Sequence, residues 1–140
     1  MPRLYRQAPL NSIWEGSGNV IALDVLRALG AGSAALVAVT AELDAARGAD
    51  VRYDAALTAL RAELGDPDQL PLRARRIAGR LALLLQASLL LRSAPAAVAD
   101  AFCATRLGGD WGGVLGTLPA GTPVAELVER AAVVPGEVRR

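Results

Sequence analysis

Glycine and proline divide this chain into segments that carry aliphatic residues at helical spacing. Between residues 17 and 29, Ile21, Val25 and Leu29 fall on one face of a helix, and Gly30 follows directly. Hydrophobic residues are 53% of the chain and aromatic residues only 4%. A core of small aliphatic side chains suits closely packed helices better than a β-sandwich, in which β-branched and aromatic residues dominate.

The helical segments are expected to pack as one domain over residues 1–140. The residues from Leu81 to Leu91 are apolar nearly all round, which predicts that their helix is central and the most buried. We predict an all-α, antiparallel bundle of about five to six helices with short connections. We also expect an extended lead-in over 1–16, a glycine-rich loop over 108–113 and a frayed tail over 134–140. The predicted helices cover 17–29, 33–47, 50–64, 71–92, 93–107 and 123–133.

Composition excludes several classes of site. The net charge is +1, and there is one cysteine and no histidine. An internal disulfide and a Ser-His-Asp triad are therefore impossible, and a zinc site is not expected. The apolar run over 81–91 is shorter than the roughly 20 residues that a membrane span needs. Since the N-terminus lacks a signal peptide, we expect a cytoplasmic protein without a membrane partner.

The segment from Trp14 to Asn19 holds the main candidate for chemistry. Glu15 lies beside Trp14, and an apolar neighbour can raise a carboxyl pKa toward that of a general base. The alternative is an exposed loop glutamate. The residues that follow open a helix, whose free N–H groups suit an anion. The alternative is a turn in which Ser17 or Asn19 caps that helix.

An arginine cluster is the second candidate. It consists of Arg73, Arg75, Arg76 and Arg80 on the longest predicted helix. Arg73, Arg76 and Arg80 fall on one face of that helix, and the cluster could bind phosphates. The alternative is a solvated helix face, since the chain is not basic overall. Cys103 is expected to be a small buried hydrophobe, and Trp111 to pack across the end of the bundle.

The string Glu15-Gly16-Ser17, with Asn19 soon after and a helix following, resembles the catalytic segment of the acyl-CoA dehydrogenase superfamily. The longer pattern over residues 2–27 looks like the AidB branch, flavoproteins linked to the adaptive response to DNA alkylation. Phe102-Cys103 and the glycine-rich residues 108–113 also look like members of that branch. The resemblance implies a C-terminal helical domain, which in the family follows a helical domain and an FAD-binding β-domain.

The resemblance also implies roles for individual residues. Glu15 would be the catalytic base, and Gly16, Ser17 and Asn19 would contact FAD. Trp14 stands where the family usually has tyrosine, and its bulk would narrow an acyl pocket.

Arg27 matches a branch arginine implicated in binding double-stranded DNA, and Arg106 is a looser candidate for the same role. Three hypotheses follow. In the first, the chain is a fragment of an FAD-dependent enzyme and is inactive without its own flavin domain or neighbouring subunits. In the second, it is a DNA-binding module. In the third, it is an oligomerisation bundle, since family members form homotetramers.

Overall fold

Helices make up most of the part of the chain that the structure describes. The structure is a computed structural model, and it describes residues 2–12, 14, 18–30, 32–109 and 116–132. These residues contain no strand, which confirms the all-α fold class. The described α-helices are α1 (Pro2–Gln7), α2 (Gly18–Ala28), α3 (Ala34–Asp44), α4 (Val51–Leu64), α5 (Leu70–Ser93), α6 (Ala96–Phe102) and α7 (Val124–Ala131).

Side-chain caps and glycine explain where α3 and α4 begin and end. The Ser33 hydroxyl accepts the Leu36 N–H at 3.1 Å, and so caps the first turn of α3. Gly48 has a φ of +84°, a left-handed conformation that glycine adopts without strain and that stops the chain from continuing as helix. Asp50 then caps α4 by accepting the N–H of Arg52 at 2.7 Å. The sequence predicted both capping residues correctly.

The core lies where α3, α4 and α6 pack against α5. Leu57 and Leu60 of α4 are buried against Ile77 and Leu84 of α5. Burying each of these side chains stabilises the fold by about 1.5–3 kcal/mol. The prediction that α5 is central is confirmed. Its burial is not complete, because Leu89 is 49% exposed on its outer face.

Buried polar contacts tie the helices to one another. The Tyr53 hydroxyl on α4 donates to the Leu43 carbonyl at the end of α3, at 2.7 Å. The Ser88 hydroxyl on α5 donates to the Glu42 carbonyl at 3.0 Å. Both hydroxyls lie on fully buried residues, and each donates to a carbonyl in the last turn of α3, where intrahelical N–H donors run out.

An ion pair joins α4 to α6. The Arg52 guanidinium donates to Asp50 Oδ2 and to Asp100 Oδ1, each at 2.6 Å. The bond from Arg52 holds the pKa of Asp50 below its usual range. Asp50 therefore caps α4 and also orients the Arg52 guanidinium that reaches Asp100 on α6.

The predicted extended lead-in is wrong for residues 2–12. Pro2–Gln7 is α-helix, and Ala8–Ser12 is a 3-10 helix. Proline at the first helical position needs no N–H partner, which favours a helix start that the sequence analysis overlooked. α1 buries no side chain, and both Leu4 and Tyr5 are exposed.

The predicted helix over 93–107 is divided. Ser93 ends α5, Pro95 lies at the N-cap of α6, and residues Cys103–Leu107 form a π-helix. The Gly108 N–H donates to the Cys103 carbonyl at 2.9 Å, the five-residue spacing of a π-helix. A periodicity of 3.6 cannot reveal such a widened turn, so the sequence predicted one continuous helix.

Gly108 is required by this geometry. A Cβ atom there would lie 2.5 Å from the Ala104 carbonyl oxygen, a backbone atom that cannot rotate away. Gly79 in the middle of α5 is the opposite case, because a Cβ atom there would meet nothing within 4 Å.

No helix in the described part of the chain is both long enough and apolar enough to cross a membrane.

Replacing Tyr53 by phenylalanine should lower the free energy of unfolding by about 1–1.5 kcal/mol. The ring would still fill its site, but the Leu43 carbonyl would lose its hydroxyl donor. Urea unfolding followed by circular dichroism measures the loss. Tyr5→Phe is the matched control, because Tyr5 is exposed on α1. Equal stability of the two variants would show that the hydrogen bond contributes nothing.

Alanine at the two glycines should have opposite effects on stability. Gly108→Ala should destabilise the chain by about 1–3 kcal/mol, because the new methyl group overlaps the Ala104 carbonyl. Gly79→Ala should stabilise it by about 0.5–1 kcal/mol through helix propensity alone. Thermal unfolding of both variants beside the unmodified chain shows whether each substitution raises or lowers the Tm. Stabilisation by Gly108→Ala would contradict the π-helix geometry.

Candidate functional site

The segment that carries Glu15 adjoins the start of α2. Glu15, Gly16 and Ser17 themselves lie outside the described residues. The Trp14 side chain belongs to a residue that is 62% exposed, and its backbone N–H donates to the Leu10 carbonyl at 3.0 Å. Trp14, which precedes Glu15 in the sequence, is therefore accessible to solvent.

Asn19 connects the start of α2 to α5. Its side-chain oxygen accepts a hydrogen bond from Arg75 Nη1 at 3.2 Å. The same guanidinium lies so close to Gly18 that a Cβ atom there would be 2.6 Å from Nη1. An amide, a guanidinium and the N-terminus of α2 thus meet next to the Glu15 segment. Such donors together favour an anionic group.

The sequence analysis did not link Arg75 to this place. It placed Arg73, Arg76 and Arg80 on a separate face of α5 and gave Arg75 no partner, because residues 56 positions apart show no pattern that reports their contact. Asn19 was a candidate, and the structure adds the cation beside it.

The predicted arginine face is largely paired with carboxylates. Arg73 Nη2 lies 3.0 Å from Asp66 Oδ2. Arg76 Nε and Arg80 Nη1 both bond to Glu63 Oε1, each at 2.8 Å. Glu63 Oε2 is buried and has no hydrogen-bond partner among the described residues. These pairs favour the interpretation that the arginines form a solvated, ion-paired helix face rather than a phosphate-binding site.

Arg27 and Arg106 lie in different surroundings. Arg27 is 78% exposed on α2 and pairs with Asp24 one turn earlier. Arg106 is half-buried in the π-helical segment. Arg106 lines a groove that α4 and α5 also form, and Arg27 is not among the residues that line it.

This groove, which we call the α4–α5 groove, encloses about 1070 Å³. Its walls are the small residues Ala55, Ala56 and Ala59 of α4, the stretch from Arg75 to Gln86 of α5, and the residues Phe102, Arg106, Leu107 and Gly109. Four arginines line it, namely Arg75, Arg76, Arg80 and Arg106. The sequence analysis missed the groove, since its walls come from three separated segments.

Cys103 is fully buried at the start of the π-helix, as predicted. Burial raises the pKa of its thiol to about 11. The thiol is therefore neutral at physiological pH and is a poor nucleophile. Among the described residues, no group of acidic and cysteine side chains is placed to hold a metal ion.

Comparison with known proteins gives one informative relative. The chain is 37% identical over 108 residues to the acyl-CoA dehydrogenase-like protein AidB of Escherichia coli (strain K12). The match covers 76% of this chain and 19% of that protein. The chain thus spans about a fifth of the relative's length. No family model and no solved structure matches the chain.

The resemblance inferred from the residues is confirmed by this match and by the helical fold. Over about three quarters of its length, the chain is therefore similar to a C-terminal helical part of AidB, an acyl-CoA dehydrogenase-like protein.

Proposed function

We propose that the chain is the helical part of an FAD-dependent, acyl-CoA dehydrogenase-like protein of the DNA-alkylation-response type, and that it does not turn over substrate alone. Glu15 is the proposed catalytic base. Gly16, Ser17 and Asn19 are the proposed contacts to FAD, and Trp14 borders the acyl pocket. These roles rest on the similarity to AidB and on the match to the family's catalytic segment.

One observation carries this proposal: Asn19, Arg75 and the N-terminus of α2 meet beside the Glu15 segment. An amide, a guanidinium and helix N–H groups are donors that suit an anionic edge of a flavin nucleotide. The segment therefore combines a carboxylate with groups that bind an anion. That combination suits a carboxylate base that acts next to a bound flavin nucleotide.

The described residues fit only one edge of FAD. Cofactor sites usually bury most of the ligand's surface. Neither the α4–α5 groove nor the small cavity between α3 and α4 includes Trp14 or Asn19 in its lining. Among the residues that the structure describes, those beside the Glu15 segment form an exposed edge rather than an enclosing pocket, so we infer that the rest of the flavin site comes from other protein surface. This is the physical reason to expect no turnover by the isolated chain.

Mixing the purified chain with FAD should give neither stoichiometric retention nor dehydrogenase activity. An open edge would bury too little of the nucleotide's surface to retain it through gel filtration. Absorbance at the flavin maximum after gel filtration measures retention, and an artificial electron acceptor with acyl-CoA substrates measures activity. Heat-unfolded chain controls for unspecific flavin adsorption. A yellow, stoichiometric complex with acyl-CoA dehydrogenase activity would refute the proposal.

Binding of double-stranded DNA is the second candidate function. It is favoured by Arg27, whose guanidinium is exposed and is held by Asp24 in a surface pair. Surface pairs of this kind contribute at most about 1 kcal/mol. A DNA phosphate can therefore displace Asp24 at small cost. Arg106 is the second proposed contact, on the wall of the α4–α5 groove.

Arg27→Ala should weaken duplex DNA binding and lower the slope of log affinity against log salt by about one. One fewer phosphate contact releases one fewer counterion. Fluorescence anisotropy at several salt concentrations measures the slope, for Arg27→Ala, Arg106→Ala and the control Arg47→Ala. Arg47 is exposed outside the groove. Binding that is equally insensitive to all three substitutions would exclude this candidate.

A further inference from the structure

The α4–α5 groove has a floor of small residues. Ala55 and Ala59 line it from α4, one helical turn apart, and Gly79 lines it from α5. The groove is partly open to solvent. A small-molecule site normally buries most of its ligand, so this shape suits a longer occupant that lies in the groove and stays partly exposed.

No contact within the described part of the chain requires a glycine at position 79. Glycine in a helix interior costs about 1 kcal/mol relative to alanine. Neither a positive φ nor a close contact requires it, since a Cβ atom there would meet nothing within 4 Å. Glycine without internal need, in the wall of a groove, allows another backbone to approach closely from outside.

The wall has an excess of positive charge. Arg76 and Arg80 share one carboxylate, that of Glu63. Arg75 donates to the neutral amide of Asn19, and no carboxylate of the described residues lies within ion-pair distance of it. Three guanidiniums thus face one carboxylate. An occupant that carries acidic groups along its edge complements this wall.

The length and the apolar walls identify the class of occupant. The lined stretch of α5 from Arg75 to Gln86 is roughly 16 Å long, about three helical turns. Leu83, Phe102 and Leu107 add apolar surface to the same groove. We propose that the α4–α5 groove docks an acidic amphipathic helix of a protein partner. Its apolar side chains would lie on the alanine and glycine floor, and its carboxylates would meet the arginines.

α7 of a second copy does not fit this description. Its exposed apolar residues Val124 and Val128 lie on one side, and Glu126 and Glu129 lie on the opposite side. A helix seated on its apolar side would then point these carboxylates away from the arginines. Nucleic acid fits less well too, because phosphates gain nothing from a floor of alanine, glycine and leucine.

The test uses the complete chain and a synthetic peptide. The probe is a fluorescein-labelled amphipathic peptide of about 14 residues, roughly 21 Å long as a helix. Leucines repeat at i, i+3, i+4 and i+7, and glutamates flank them. A second peptide has arginine in place of each glutamate. Anisotropy titrations are run with the unmodified chain, Gly79→Leu and Arg75→Ala, with Ala41→Leu and Arg47→Ala as matched controls on exposed sites outside the groove.

The acidic peptide should bind saturably and the basic peptide at least about tenfold more weakly. Gly79→Leu should weaken binding about tenfold by filling the groove, and Arg75→Ala about threefold or more. Both controls should stay within about twofold. Leucine raises helix propensity and enters open space, so Gly79→Leu should fold, which circular dichroism verifies. If it does not fold, Arg75→Glu provides the decisive variant.

Several results would overturn the proposal. Unchanged affinity of Gly79→Leu, or equal binding of the basic peptide, would show that the groove is not the docking site. Displacement of the peptide by a DNA oligonucleotide, itself sensitive to Gly79→Leu, would assign the groove to nucleic acid. Dimerisation seen by light scattering, blocking the peptide and abolished by Gly79→Leu, would assign it to a second copy. None of these outcomes depends on FAD, so the flavin proposal succeeds or fails separately.

Discussion

The fold depends on the burial of α5. α2, α3, α4 and α6 all contact this one 24-residue helix, and its inner residues Ile77, Leu84 and Ala87 are fully buried. Removing their apolar surface from water is the main term that holds the short helices in place, since helices of 7 to 14 residues are marginal in water alone. The hydroxyls of Tyr53 and Ser88 then fix α3 against this core through its carbonyls.

The sequence predicted those features that local chemistry determines. Capping by Ser33 and Asp50, the stop at Gly48 and the central position of α5 all follow from residue type and spacing. It failed for α1, where a proline-initiated helix has no buried face to produce a periodic signal. It failed also for the π-helix, where an altered hydrogen-bond spacing leaves the residue pattern almost unchanged.

The candidate site was less predictable than the fold. Family resemblance identified the Glu15 segment, and helical spacing identified an arginine face, but neither could show which partners those side chains meet. Arg75 reaches Asn19, while Arg76 and Arg80 meet Glu63. Contacts between residues far apart in sequence depend on how the helices pack, so a single sequence carries no direct sign of them. The family resemblance therefore indicates which residues are candidates, and the packing of the helices shows which side chains they contact.

Glu63 has a consequence that extends beyond its own ion pairs. One oxygen of this carboxylate serves two guanidiniums, and the other is buried without a partner among the described residues. Two of the four guanidiniums that line the α4–α5 groove thereby share a single counterion on α4. A substitution that neutralised Glu63 would release both guanidiniums together. Evolution could thus retune the attraction of the α4–α5 groove for anions without altering any arginine.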